Sequence, residues 1–260
     1  DRMLDMGFSR DMENIASFLP RQRQTMMWSA TWPREVQALA SNYLAPERAL
    51  IRVGDGGQMV NKNITQHVFY AQHDDERMSK LAKLYTSGRI SPTDKALMFV
   101  KRKDQCEAIA AEIASGLQAV CGADPRTVAP IHGGMQQFRR DDIMKKFKAG
   151  QIKILVATDV AARGLDFPDI EYVVNYDAPH DIDSYTHRIG RTGRNGRKGV
   201  SFTFLMPDTL AVARDVKAFM LKCGQEISQE LEDAVADFRP KTSRFGRGRG
   251  RGGGDRACYN

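Results

Sequence analysis

At 260 residues, 42% hydrophobic and 27% charged, the chain has the composition of a globular protein with room for one large or two modest domains. No apolar run approaches membrane-spanning length, and the charged opening Asp1-Arg2-Met3-Leu4-Asp5 lacks the apolar stretch of a signal peptide, so no integral membrane protein and no secretory leader is expected. The net charge of +7 is unevenly placed: residues 239–260 carry +6, leaving +1 for everything before them, so any anion binding by the folded part must come from a local patch.

Taken in chain order, apolar β-branched runs alternate with longer helical patterns, the signature of an α/β protein with a parallel sheet. Buried strands are expected at Gln24 to Ser29, Ala96 to Val100, Thr127 to Ile131, Ile152 to Ala157, Tyr172 to Asn175 and Val200 to Leu205. Helices are expected at Glu35 to Leu44, Glu76 to Tyr85, Asp104 to Leu117, Gln137 to Lys148 and Thr209 to Leu221. In the third helix Ala108, Ile109, Ile113 and Leu117 keep helical spacing and are expected to face the sheet.

Three glycines in Gly54-Asp55-Gly56-Gly57, followed by Asn61-Lys62-Asn63, mark a flexible connection. The residues before it are too few to close an α/β domain, and the chain does not begin with methionine. It therefore reads as processed, excised or truncated, with the end of one domain in front of a complete second one. The stretch Arg244-Phe245-Gly246-Arg247-Gly248-Arg249-Gly250-Arg251 has no means of building a core and is expected to be disordered. Such a tail either contacts RNA through phosphates and stacking or serves as a passive solubilising end. Its formal G-x-G-x-x-G match has no strand before it and no helix after it, so it carries no dinucleotide reading.

The four cysteines, Cys106, Cys121, Cys223 and Cys258, form no C-x-x-C pair, and the five histidines show no H-E-x-x-H spacing. Neither a disulfide framework nor a protein-held metal site is expected. The chemically richest stretch is His187-Arg188-Ile189-Gly190-Arg191-Thr192-Gly193-Arg194, read as a loop with an arginine at every third position. A guanidinium stays charged at any physiological pH and offers a planar fork of donors matched to phosphate oxygens. The intervening glycines would let the backbone approach a large ligand closely.

That stretch is the last of seven short motifs that occur in order. Asp1-Arg2-Met3-Leu4-Asp5-Met6-Gly7-Phe8 is followed by Ser29-Ala30-Thr31, Met98-Phe99-Val100, and His132-Gly133 with Gln137 and Arg140. Ala157-Thr158-Asp159-Val160-Ala161-Ala162-Arg163-Gly164-Leu165-Asp166 and Val174-Asn175-Tyr176-Asp177-Ala178-Pro179 complete the series. From Asp1 to about residue 206 the chain resembles the DEAD-box RNA helicases.

The resemblance implies a RecA-like α/β fold: residues 1–53 as the C-terminal part of a first RecA-like domain, 54–63 as linker, 64–237 as the second, and 238–260 as a disordered Arg/Gly-rich tail. It implies ATP and Mg2+ as cofactors, with the phosphate loop and the magnesium ligands upstream of this sequence. Asp1 matches the last residue of the acidic tetrapeptide. Arg191 and Arg194 match the arginine fingers, and Asp166, with Gly164 allowing close approach, matches the residue that binds the ATP ribose. Ser29 and Thr31 match the motif that couples hydrolysis to unwinding, with His187 in the same network; capping of the helix near Pro33 is an alternative for the first two. Thr158, Gln137, Arg140 and the segment at Phe99 and Val100 match positions that bind the RNA backbone, although Phe99 in an apolar strand reads as core. Asp159 is open to a plain role as a turn or cap residue.

The expected activity is ATP-driven local separation of RNA duplexes by closure of two RecA-like domains. The partners implied are single-stranded and short duplex RNA and ribonucleoprotein components, with no membrane and no oligomer. Trp28 and Trp32-Pro33 beside Ser29, with the tail, resemble members that act in the nucleus. Two rivals stay open: a non-enzymatic RNA-binding or annealing module, and a DNA helicase of the wider superfamily. Lys101-Arg102-Lys103 stands where the family often has an acidic residue and a threonine, and Gly134 replaces a frequent aspartate.

Overall fold

The computed structural model describes residues 7–29, 32, 34–51, 61–162, 167 and 170–237. The chain divides into two compact units, Asp1–Val60 and Asn61–Asn260. In the first, two helices are described, α1 (Ser9–Ser17) and α2 (Arg34–Tyr43). Val36 and Ala40, one helical turn apart, are the buried residues of α2. The strand expected at Gln24 to Ser29 does not form: residues 23–29 are irregular. A strand needs a neighbour for its backbone N–H and C=O groups, and no strand is described in this unit.

The second unit is a parallel sheet of six strands among the described residues: β1 (Ile64–Tyr70), β2 (Ala96–Val100), β3 (Val128–Ile131), β4 (Ile154–Thr158), β5 (Tyr172–Asn175) and β6 (Gly199–Leu205), in the order β1-β6-β5-β2-β4-β3. The helices are α3 (Asp74–Thr86), α4 (Cys106–Cys121), α5 (Gln137–Lys148), α6 (Asp159–Ala162), α7 (Ile182–Ile189), α8 (Ala213–Lys222) and α9 (Gln229–Asp237). All five residues of β2 and of β4 are buried, as expected of parallel strands covered on both faces. Alternation assigns Met98 and Val100 to one core, shared with Leu81, Ile113 and Leu117. Leu97 and Phe99 belong to the other, shared with Ile131, Phe147 and Phe167.

Several expectations shift. Thr127 lies in a short 3-10 turn, Ile152 precedes β4, and the helix expected from Thr209 begins only at Ala213 after a 3-10 turn over Pro207–Val212. Helix α4 buries Cys106, Ala110, Ile113, Ala114 and Leu117, whereas Ala108 is exposed. Its buried stripe is rotated toward the 106-110-113-117 series because the helix starts at Cys106, whose thiol donates to the Val156 carbonyl across the core (3.2 Å).

Strand β1 is absent from the sequence reading because Gln66 and His67 interrupt its apolar residues. It forms the sheet edge, and its outward backbone groups are covered by side chains rather than by another strand. The amide of Gln66 donates to Gln225 Oε1 (2.9 Å) and that of Tyr70 to Glu230 Oε1 (2.8 Å). Lys80 donates to both the Tyr70 carbonyl and Glu230. An edge occupied in this way offers no template to another chain. At the opposite edge, β3 contains Pro130, which has no N–H to leave unpaired. Asn61 and Asn63, assigned to the linker by sequence, are bonded into this unit: Ile64 N donates to Asn61 O, and Gly199 N to Asn63 O.

Candidate functional site

A parallel sheet gathers every loop that follows a strand at one edge. Between β2 and β5 the chain leaves for opposite sides of the sheet, toward β3 from one and toward β6 from the other. Such a switch point is where open α/β sheets form ligand crevices. Asp177, two residues past β5, is the hub here. One carboxylate oxygen accepts from the amide of Lys101 (2.7 Å), the other from Arg77 Nη1 (2.5 Å). Arg77, buried on the first turn of α3, also donates to Tyr176 O (2.9 Å) and Asp74 (2.7 Å) and stacks 3.9 Å over the Tyr176 ring. Burial pushes the Tyr176 hydroxyl up to about 12, with the nearby Arg77 charge opposing.

The three arginines of the last motif separate into different environments. His187 and Arg188 lie on helix α7 rather than in a loop, with Gly190 as the residue after its end. Arg188 is 3% exposed and holds Asp159 with two parallel bonds, Nε to Oδ1 at 2.8 Å and Nη2 to Oδ2 at 2.7 Å. Its remaining nitrogen donates to the Asp177 carbonyl at 2.7 Å, and the guanidinium lies 5.0 Å over the Phe99 ring. Arg188 is thus fully used in joining β4, β5 and α7.

Arg191 is half-buried, and its guanidinium makes no hydrogen bond or ion pair with the described residues. Burial first, and the Arg194 charge second, lower its pKa from the usual guanidinium value, while the pull of Asp159 is weaker. Arg194 is exposed and folds its Nε back onto the Gly190 carbonyl (2.7 Å).

Gly193, the second glycine of this motif, packs against the protein itself. Gly193 has φ +66°, and a Cβ there would lie 2.6 Å from Ile64 Cγ1; its carbonyl accepts from Asn61 Nδ2 (2.9 Å). Thr192, 1% exposed, donates to Ile170 O (2.6 Å) and leaves Gly199 no room for a side chain, with its Oγ1 2.1 Å from where a Cβ would stand. The close backbone approach expected toward a ligand is therefore an approach to the start of β1 and β6.

Thr158 ends β4, buried at 6% exposure, opposite Val100 in the register. Phe99 and Val100 are 2% and 0% exposed, so both side chains belong to the core, and the chain reaches the surface from Lys101 onward. Gln137 and Arg140 begin α5 as expected, with Arg140 Nη1 donating to Gln137 Oε1 (3.2 Å) and Gln137 Nε2 to Asp141 (2.8 Å). In the turn before them Gly134 N donates to His132 Nδ1 (3.2 Å).

In the first unit Ser29 is exposed in irregular chain. Asp1, Thr31, Gly164 and Asp166 lie outside the described residues, as do residues 238–260. No magnesium ligand set emerges, because no group of three or more His, Cys, Asp or Glu side chains that could hold a metal ion occurs among the described residues.

Sequence reasoning missed the roles of Arg77 and Asp177 and left Asp159 undecided. Asp177 lay within a motif already singled out, but nothing local shows that its carboxylate joins the loop after β2 to helix α3. Arg77 sits in an ordinary charged helix start, and only tertiary burial distinguishes it.

The strand order and the basic side chains brought to one edge define a RecA-like helicase domain. Solved structures match it: S. cerevisiae Dbp5 bound to RNA and ADP BeF3 has a TM-score of 0.68 at 27% identity over 85% of this chain and 54% of that one. Prp28 from Chaetomium thermophilum bound to ADP has a TM-score of 0.55 at 35% identity, covering 89% of this chain and 52% of that one. The family described as "DEAD/DEAH box helicase" matches residues 1–39, and the "Helicase conserved C-terminal domain" matches residues 76–196. The chain belongs to the DEAD-box helicase family. Similar relatives include ATP-dependent RNA helicase DBP2 of Debaryomyces hansenii, 40% identical over 97% of this chain, and DEAD-box ATP-dependent RNA helicase 30 of Arabidopsis thaliana, 38% identical over 98%. The chain spans 45% and 42% of the length of these two relatives.

Proposed function

We propose that the whole protein is an ATP-dependent RNA helicase and that this chain supplies its second RecA-like domain with the end of the first. The observation that carries the reading is Arg191, a half-buried guanidinium that forms no ion pair among the described residues and on which the pull of Asp159 is outweighed by burial and by Arg194. Arg188, one helical turn earlier, is saturated by Asp159. A charge held at an electrostatic cost is poised for an anion that arrives during the reaction. Arg191 and Arg194 stabilise the charge on the transferring phosphoryl oxygens of ATP, and Asp166 and Gly164 hold the ribose. Ser29, Thr31 and His187 couple turnover to RNA. Bound ATP would supply the scissile phosphoanhydride, and Mg2+ would be held by residues other than the described ones.

RNA lies along the carboxyl edge of the sheet. Thr158, Gln137 and Arg140 position its backbone without reading bases, and residues 238–260 add phosphate contacts. Ribonucleoprotein components are its partners, it acts without forming an oligomer, and the nucleus is its compartment.

In the full-length protein, Arg191→Ala lowers ATP turnover about a thousandfold or more and spares most RNA binding; undiminished turnover rejects the assignment. The rival, an RNA-binding or annealing module, draws on the +6 charge of residues 239–260. ATP-dependent release of RNA separates the two.

A further inference from the structure

The helix that carries Gln137 and Arg140 also presents an aromatic side chain to solvent. Phe138 is 67% exposed, the most exposed large hydrophobic residue described in the second unit. It is not part of the buried face of α5, which is formed by Met144 and Phe147. As the second residue of the helix its Cα–Cβ bond tilts toward the helix N-terminus. That end follows the His132–Met135 turn at the carboxyl end of β3. Val160, 54% exposed just past Thr158, lies against the same turn, 3.8 Å from the place of a Cβ on Gly133.

The surroundings are cationic. Lys101, Lys103 and Arg139 are exposed at the same sheet edge, and among the described residues their side chains form no ion pair. Of the acidic neighbours, Asp104 and Asp142 are paired with Arg102 and Lys146, Asp141 accepts from the neutral Gln137 amide, and Glu107 lies 3.5 Å from His132 Nε2. An exposed aromatic ring and cations outside ion pairs along one sheet edge are the combination that holds single-stranded nucleic acid, with phosphates on the cations and a base face on the ring.

We propose that Phe138 is a base-stacking platform, so that this domain holds one nucleobase of the bound strand in addition to its backbone. The proposal rests on the RNA reading above. Stacking of this kind tolerates any base but requires that one be present.

The test is a series of single-stranded oligouridylates, each with one abasic nucleotide moved stepwise along the strand. Binding to the 260-residue chain is read by fluorescence anisotropy. One abasic position should weaken binding about fivefold to a hundredfold. Phe138→Ala should lower affinity for the intact strand by the same factor and flatten the profile, and Phe138→Trp should restore it. Arg140→Ala should weaken every oligonucleotide alike. A flat profile with the unsubstituted chain, or a dip that survives in Phe138→Ala, overturns the platform and leaves Phe138 to a protein partner or to no ligand. Failure of the intact oligouridylate to bind at all overturns the RNA reading itself.

Discussion

Arg188 and Asp159 meet edge to edge through two parallel hydrogen bonds of 2.8 and 2.7 Å, and so lock the end of β4 to helix α7. The arginine side chain is 4% exposed and the aspartate 26%, so the pair is buried from one side only. The same guanidinium reaches Asp177 O, and the Asp177 carboxylate holds the loop after β2. Three loops of the carboxyl edge are therefore fixed by one chain of charge-assisted bonds.

Asp159→Ala leaves Arg188 charged, buried and without its partner. Loss of one member of such a pair costs about 2–4 kcal/mol. Urea unfolding monitored by circular dichroism should show that loss. A change under about 0.5 kcal/mol, the level typical of ordinary surface substitutions, would mean the pair contributes no more than an exposed one.

Gly193→Ala combines a left-handed backbone (φ +66°) with a Cβ clash against Ile64. Gly196→Ala is the control, since it shares the positive φ (+76°) but meets nothing within 4 Å. The control should lose about 1 kcal/mol from backbone strain alone, and Gly193→Ala clearly more. Equal losses in thermal melts would dismiss the close approach to β1 as a constraint.

His67 stacks on Phe202 with ring centroids 5.3 Å apart and accepts from Arg89 Nη2 through a ring nitrogen. Burial first, and the Arg89 charge second, lower its pKa from 6.5. The unfolded chain therefore binds this proton more readily than the folded one, and stability falls as pH drops below about 6.5. Above that pH neither state is protonated there and the effect vanishes. His67→Gln should remove the part of the loss between pH 7.5 and 5.5 that this group causes, measured as the urea midpoint at each pH. An unchanged slope would show that the ring titrates alike in both states.

Glu230 accepts from the Tyr70 amide at the sheet edge. Glu230→Ala should accelerate hydrogen exchange at Tyr70 while leaving Val174, in the interior strand β5, protected. Exchange at Tyr70 that does not respond would mean that the edge is shielded by bulk alone.

The apolar runs Ala96–Val100 and Tyr172–Asn175 were legible with their exact limits, because strands covered on both faces write continuous hydrophobic sequence. Helix α5 was equally plain. Strand β1 was hidden, since its polar residues are buried only through partners distant in sequence, such as the Tyr185 hydroxyl that donates to Gln66 Oε1 at 3.0 Å. The arginine motif showed that charge gathers there, but three identical guanidinium groups at equal spacing carry no mark of which is consumed and which is available.

Residue type and order were enough to establish the parallel α/β class and the family, since burial patterns and turn chemistry are written locally. Folding alone divided the labour among like residues: Arg188 into the core, Arg191 half-buried with no ion pair among the described residues, Phe138 outward at the same sheet edge as Lys101 and Lys103. Burial and pairing depend on what the sheet brings alongside from tens of residues away, and no local spacing encodes that.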